Sequence, residues 1–240
     1  MWCEGTGQMG VALLGDSAGA HFHIPAEWMN VTEMTAASWA DTYFILLMEL
    51  DWPFLSGTTA MFNSTEPWQN VIQGPVDSLY LRMLQQNRCN HRDFQNLGVN
   101  GARSGAMASQ LDQTLRRDAS TDHPVFLVYE LIGNDVCSGH HTFETMTTPE
   151  EFYQNNLQAF QYLDSKLPYG SRVLALGLAN GSVLYDAMND RIHPIGALNN
   201  DVTYTNVYVT SLLFFFLAFR LWTLHFHMAL CVFFLINIFL

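Results

Sequence analysis

Lysine is almost missing from this chain: Lys166 is the only one in 240 residues, and nine arginines face 22 carboxylates, for a formal net charge of -12. That balance excludes nucleic acid as the general partner, because holding a phosphate backbone requires a basic face. Cysteine is sparse as well. Cys3, Cys89, Cys137 and Cys231 make no CxxC pair and have no histidine at zinc spacing, which argues against a metal site. A secretory leader is missing from Met1-Trp2-Cys3-Glu4, which has neither a basic start nor an apolar run. From Ser211 to Leu240 there is no acid, no glycine and no proline, and no basic cluster that would orient a membrane span.

What is present is enough apolar residue for one sizeable α/β core with an appendage. Val11 to Leu14 reads as a buried strand, broken by Gly15-Asp16-Ser17. Ser17 then sits at a strand's carboxyl end, where open α/β sheets place their chemistry and where the following helix aims its N-terminal N–H groups. Two readings stand side by side, a nucleophile and a helix cap. Asp93 to Val99 reads as a second strand, leading into the glycine-rich turn Asn96 to Gly105. Pro124 to Ile132 is a third, a continuous apolar run ending at Gly133-Asn134-Asp135, and Arg172 to Leu178 is a fourth.

Helices are predicted over Thr35 to Leu50, Leu79 to Leu84 and Met107 to Arg117, and from Thr148-Pro149-Glu150-Glu151, with its cap, proline and acids, to about Leu167. Strands alternating with helices at these spacings predict a three-layer α/β/α sandwich with a mostly parallel sheet. The aromatics between Glu27 and Met61 read as core residues, with an acyl-chain groove as the alternative. Leu221 to Leu240 is nearly all apolar and has the length of a bilayer-spanning helix, so residues 1–208 are expected to form the domain and 209–240 a hydrophobic tail.

Several smaller signals bear on function. Gly5 to Gly10 matches GxGxxG but precedes the first strand instead of following one, the wrong order for a dinucleotide site. Gly15 to Gly19 fits GxSxG, the elbow of α/β-hydrolases, although that fold normally places several strands before it. Six arginines between Arg82 and Arg117 oppose only Asp93 and Asp112, which reads either as a solvated face or as a site for an anionic substrate. Sequons at Asn30, Asn63 and Asn180 point to a secreted or lumenal protein, where a disulfide among Cys3, Cys89 and Cys137 is allowed.

Three turns, at Ser17, at Asn96 to Gly101 and at Gly133 to Asp135, therefore end three parallel strands. A nucleophile with a glycine N–H and a side-chain amide nearby is what acyl transfer requires. In order and spacing these turns resemble the serine, glycine and asparagine blocks of the SGNH/GDSL hydrolases. LLGDSAGAHFHIP, ELDWPFLSG, CNHRDFQN, IGNDVCSG, MTTPE and HPIGALN further resemble the large subunit of the acyloxyacyl hydrolases, over about Cys3 to Tyr208.

The resemblance implies a serine esterase of lipase type that removes secondary fatty acyl chains from the lipid A of lipopolysaccharide, in a secreted or lysosomal setting. Ser17 would be the nucleophile, and its N–H, the Gly101 N–H and the Asn134 side chain would form the oxyanion hole. The family's saposin-like small subunit and its calcium-binding stretch lie outside this chain, so no cofactor is expected in it. The family's catalytic histidine belongs to an Asp-x-x-His block after a fifth strand. Asp190 and His193 fit that spacing but lie only about a dozen residues beyond the fourth strand, shorter than a full crossover. The expected sheet therefore lacks its last strand. An inactive, membrane-anchored or misfolded product is the competing expectation, and His21 and His23 are expected to line the pocket or cap the turn.

Overall fold

The computed structural model describes residues 2–61, 75–136 and 143–207. Four strands, β1 (Gly10–Gly15), β2 (Phe94–Gly98), β3 (Val125–Glu130) and β4 (Arg172–Leu176), form one parallel sheet in the order β2-β1-β3-β4, and two short helices, α1 (Ala26–Met29) and α2 (Thr42–Leu47), follow β1. Gly15 lies opposite both Gly98 and Glu130, so the carboxyl ends of the three strands are level. The chain steps from β1 out to β2 and then returns to the other flank of β1. Connections leave in opposite directions at that reversal, between β1 and β3, the position at which open α/β sheets bind their ligands.

Alternation divides the core. Ala12, Leu14, Val125, Leu127 and Tyr129 pack with Met107 and Leu111 of α4 (Ser104–Thr114) and with Ala159 and Leu163 of α5 (Pro149–Lys166). Each fully buried leucine there stabilises the fold by roughly 1.5–3 kcal/mol, which outweighs any exposed ion pair. On the opposite side, Tyr80 of α3 (Leu79–Gln86) packs against Phe94 at 4.5 Å. A second cluster, Ile24, Trp28, Ile45, Trp52 and Leu55, lies along the segments that follow β1.

The helix expected over Thr35 to Leu50 is much shorter: only Thr42–Leu47 is helical. Thr35 and Ser38 bind each other's backbone through their hydroxyls, which favours a turn over a helix. At the other end, Glu49 and Leu50 take φ values of 56° and 60°, which end the helix before Pro53. Of the aromatic and aliphatic residues expected as core between Glu27 and Met61, Trp28, Ile45, Trp52 and Leu55 are buried, whereas Trp39, Tyr43, Phe44, Leu46 and Leu47 are exposed. β4 is also exposed along its length, an edge strand and not a buried one. Among the described residues no fifth strand follows it; the chain passes through a helix, Gly181–Met188, to a short turn at Pro194–Gly196. The hydrophobic tail and the Asn63 sequon lie outside the described residues, within which no helix is long and apolar enough to cross a membrane.

Candidate active site

Ser17 is reached from β1 through a turn, not through the helix expected after it. Ala20 N–H donates to the Asp16 carbonyl at 3.0 Å and Phe22 N–H to the Ser17 carbonyl at 2.8 Å, and His21 takes φ 55° to close the bend. The capping role falls to Asp16, whose Oδ1 accepts from Ala18 N–H at 3.0 Å. Ser17 Oγ is left without a hydrogen bond among the described residues, although the residue is 3% exposed. The glycines of Gly15-Asp16-Ser17-Ala18-Gly19 are there for clearance: a Cβ on Gly15 would meet the Glu130 carbonyl at 2.6 Å, and one on Gly19 would meet Leu13 at 2.4 Å.

The three turns anticipated from the sequence are cross-linked. Val99 N–H donates to the Gly15 carbonyl at 3.1 Å. Asn96 Nδ2 donates to the Gly19 carbonyl at 2.9 Å, while its Oδ1 accepts from Gly98 N–H at 2.9 Å. Ile132 N–H donates to Asp16 Oδ2 at 2.9 Å. Asn134, 8% exposed, donates from Nδ2 to the Ala102 carbonyl at 3.1 Å, which sets its amide against the glycine turn; that amide carries a second N–H. Gly101 takes φ 70°, a conformation that favours glycine.

Asn96 and Asp135 hold this assembly without having been singled out by the sequence. Asp135 is fully buried and accepts from Ser104 N–H at 3.0 Å and Ser104 Oγ at 2.6 Å, so it fastens the third turn to the start of α4. A polar residue inside strand β2 and an acid directly after Gly133-Asn134 were the available signals. Burial raises the pKa of Asp16, opposed by the N–H groups of Ala18, Ile132 and Gly133. Burial, and then Asp16, pushes Glu130 up to about 7, and burial lowers His21 to about 4.

Asp190 and His193 lie in the turn that follows the helix Gly181–Met188. His193 is fully buried between residues 189 and 204, its N–H bound to the Val202 carbonyl and its ring 4.7 Å from that of Tyr204. Its Nδ1 accepts from Ile195 N–H at 3.1 Å, the geometry of a cap. A neutral ring used in that way carries its proton on Nε2, whereas a base toward serine needs Nε2 free and Nδ1–H held. The basic stretch is partly neutralised internally: Arg82 pairs with Asp77, Arg117 with Asp93, and Arg103 Nη2 donates to the carbonyls of Asp135 and Thr145. His21 and His23 stack at 6.1 Å, and the His23 ring meets the edge of Trp52 at 5.9 Å. Gly5 lies in a turn and Gly7 in the irregular stretch before β1, with a strand and not a helix behind them.

A parallel sheet with a serine turn, a glycine turn and an asparagine turn at neighbouring carboxyl ends defines the SGNH class of hydrolase folds. The chain belongs to the GDSL-like lipase/acylhydrolase family, whose profile matches residues 11–210. It is similar to the acyloxyacyl hydrolases of Oryctolagus cuniculus (47% identical over 209 residues), Homo sapiens (44% over 208) and Mus musculus (43% over 208). Each comparison covers 86% of this chain but 35% of the relative, so the chain spans about a third of their length.

Proposed function

We propose that this chain carries the nucleophile and the oxyanion donors of a serine esterase acting on fatty acyl esters. Ser17 Oγ would attack the ester carbonyl carbon, its proton passing to a base, and the alcohol would leave as the acyl-enzyme forms. Water would then release the fatty acid. The Ser17 and Gly101 N–H groups and the Asn134 amide would hold the developing oxyanion, an interaction in which each donor is worth about 10²–10³ in turnover. The observation that supports this reading is that hydrogen bonds link the serine, glycine and asparagine turns at neighbouring strand ends.

The substrate class follows from the acyloxyacyl hydrolases: an ester whose acyl chain sits on the hydroxyl of another acyl chain, as in the lipid A of lipopolysaccharide. The Cys3–Cys89 disulfide supports an oxidising compartment, secreted or lysosomal. The family's saposin-like subunit and calcium would act outside these residues, and the apolar run from Leu221 to Leu240 would bring the chain to a membrane. Among the described residues no histidine is hydrogen-bonded to Ser17, so this chain by itself should turn over slowly, since serine activation needs an adjacent base. That observation also favours the second reading, a non-catalytic product.

A fluorophosphonate probe separates them. Slow labelling of the 240-residue chain, lost in Ser17→Ala, is the expected result. Labelling that survives Ser17→Ala would overturn the nucleophile assignment, and a wild-type chain that takes up no label would establish the non-catalytic reading.

A further inference from the structure

Strand β2 carries a polar side chain, Asn96, whose amide is committed on three sides. Its Nδ2 donates to the Gly19 carbonyl of the serine turn at 2.9 Å and to Thr59 Oγ1 at 2.8 Å, and its Oδ1 accepts from Gly98 N–H at 2.9 Å. Thr59 belongs to none of the turns that the proposed chemistry uses. It is 1% exposed and stands on a rigid base: Leu79 N–H donates to the Gly57 carbonyl at 2.9 Å, Tyr80 N–H to the Thr58 carbonyl at 3.0 Å, and Ser78 Oγ to the Ala60 carbonyl at 2.8 Å. These bonds fasten residues 57–60 to the start of α3, whose Tyr80 ring packs on Phe94, two residues before Asn96 on the same face of β2. The serine turn rests directly on the strand beyond, where a Cβ on Gly98 would run into the Ala20 backbone nitrogen. A hydroxyl held this firmly is a fixed point toward which the Asn96 amide is aimed.

We propose that Thr59 is a positioning residue for the esterase site, acting through Asn96: its hydroxyl orients the amide that holds the serine turn against the glycine turn. The proposal rests on the esterase reading for its consequence in activity, not for its geometry. Two of the proposed oxyanion donors, the Ser17 and Gly101 N–H groups, belong to those two turns, and their separation determines whether both reach one oxygen. Donors stabilise a developing charge only when they are set in advance, and a displacement of about 1 Å is enough to cost rate. Asn96 bridges the turns close to both donors, since Gly19 lies two residues after Ser17 and Gly98 three before Gly101. Without the Thr59 hydroxyl, one Nδ2 hydrogen of a part-buried amide would lose its acceptor, and the amide would be free to turn away from Gly19.

Thr59→Val and Thr59→Ser separate this role from packing, because valine keeps the shape and loses the hydroxyl while serine keeps the hydroxyl and loses a buried methyl. With the fluorophosphonate probe on the 240-residue chain, Thr59→Val should slow labelling of Ser17 roughly 2- to 10-fold, the span one hydrogen bond supplies, and Thr59→Ser should label near the wild-type rate. The opposite order, or equal slowing by both, would reduce Thr59 to a packing residue. In an Asn96→Ala background the Thr59→Val effect should vanish; an undiminished effect there would show that Thr59 does not act through Asn96. Amide hydrogen exchange reads the same contact without any activity. Thr59→Val should speed exchange at Gly98 N–H, which Asn96 Oδ1 accepts, while the N–H groups of β3 keep their wild-type rates and Thr59→Ser leaves Gly98 unchanged. Unaltered exchange at Gly98 in Thr59→Val would overturn the proposal, and this holds even where Asn96→Ala fails to fold. A wild-type chain that takes up no label would thus count against the esterase reading while the Gly98 exchange rate still decides the role of Thr59.

Discussion

Three carboxyls lie under or beside the serine turn, and each is stabilised differently. Asp16 spreads its charge over backbone N–H donors, and Asp135 accepts twice from Ser104. Glu130 sits beneath Gly15 and Gly19 with its Oε1 3.3 Å from where a Gly19 Cβ would be. Its pKa of about 7 against 4.5 for the free side chain means that folding favours its neutral form. The stability this contributes is complete below the unfolded value and disappears as pH rises through about 7. Glu130→Gln, neutral throughout, should therefore melt ever higher relative to wild type as the pH is taken from 5 to 8. A difference in Tm that is flat over this range would show that Glu130 is not held neutral. Ser17, Gly101 and Asn134 were legible in the sequence because turn chemistry marks them: glycine, serine and asparagine break apolar runs at strand ends. Glu130 and Asn96 were not, since their partners lie dozens of residues away.

Elements were legible where local and tertiary preferences agree. α5 is the clearest instance: Thr148 Oγ1 accepts from Glu151 N–H at 3.2 Å and Glu151 Oε2 accepts from Thr148 N–H at 2.8 Å, the reciprocal box that the residues Thr148 to Glu151 announce. Because α5 buries Ala159 and Leu163 against the sheet, its start is coupled to the core. Thr148→Ala should lower Tm by about 2–4 °C, the effect of one lost cap in a domain of this size, while Glu151→Gln, which still accepts, should lower it less. Equal melting of Thr148→Ala and wild type would mean that the first turn frays in the native state. Conversely, Thr35 to Leu50 misled because apolar spacing alone does not register the Thr35–Ser38 hydroxyl exchange or the left-handed residues at Glu49 and Leu50. Because that helix stops early, residues 50–52 can pair with residues 20–23 beside the serine turn.

At the scale of the molecule, the two ends of the sheet are held by different means. The carboxyl end, where Ser17 lies, is joined by hydrogen bonds between turns. The amino end is joined covalently, by the Cys3–Cys89 disulfide across 86 residues of sequence, one of the pairings the composition allowed among Cys3, Cys89 and Cys137. Around it, Gln8 Nε2 donates to the Cys89 carbonyl at 2.6 Å, Met9 N–H to Asn90 Oδ1 at 3.0 Å and Asn87 Nδ2 to the Thr6 carbonyl at 3.1 Å. The arm before β1 is thus part of the folded unit. Cross-linking a loop of that length restricts the unfolded chain strongly, and losing such a bond typically costs about 2–5 kcal/mol. Reduction, or Cys3→Ser with Cys89→Ser, should lower Tm by several degrees. Because the bond lies at the far end of β1 from Ser17, the fluorophosphonate labelling rate well below the new Tm should stay unchanged. A fall in labelling in step with stability would show that the serine turn depends on the amino end of the sheet, and an unaltered Tm would show that the arm unfolds independently of the core.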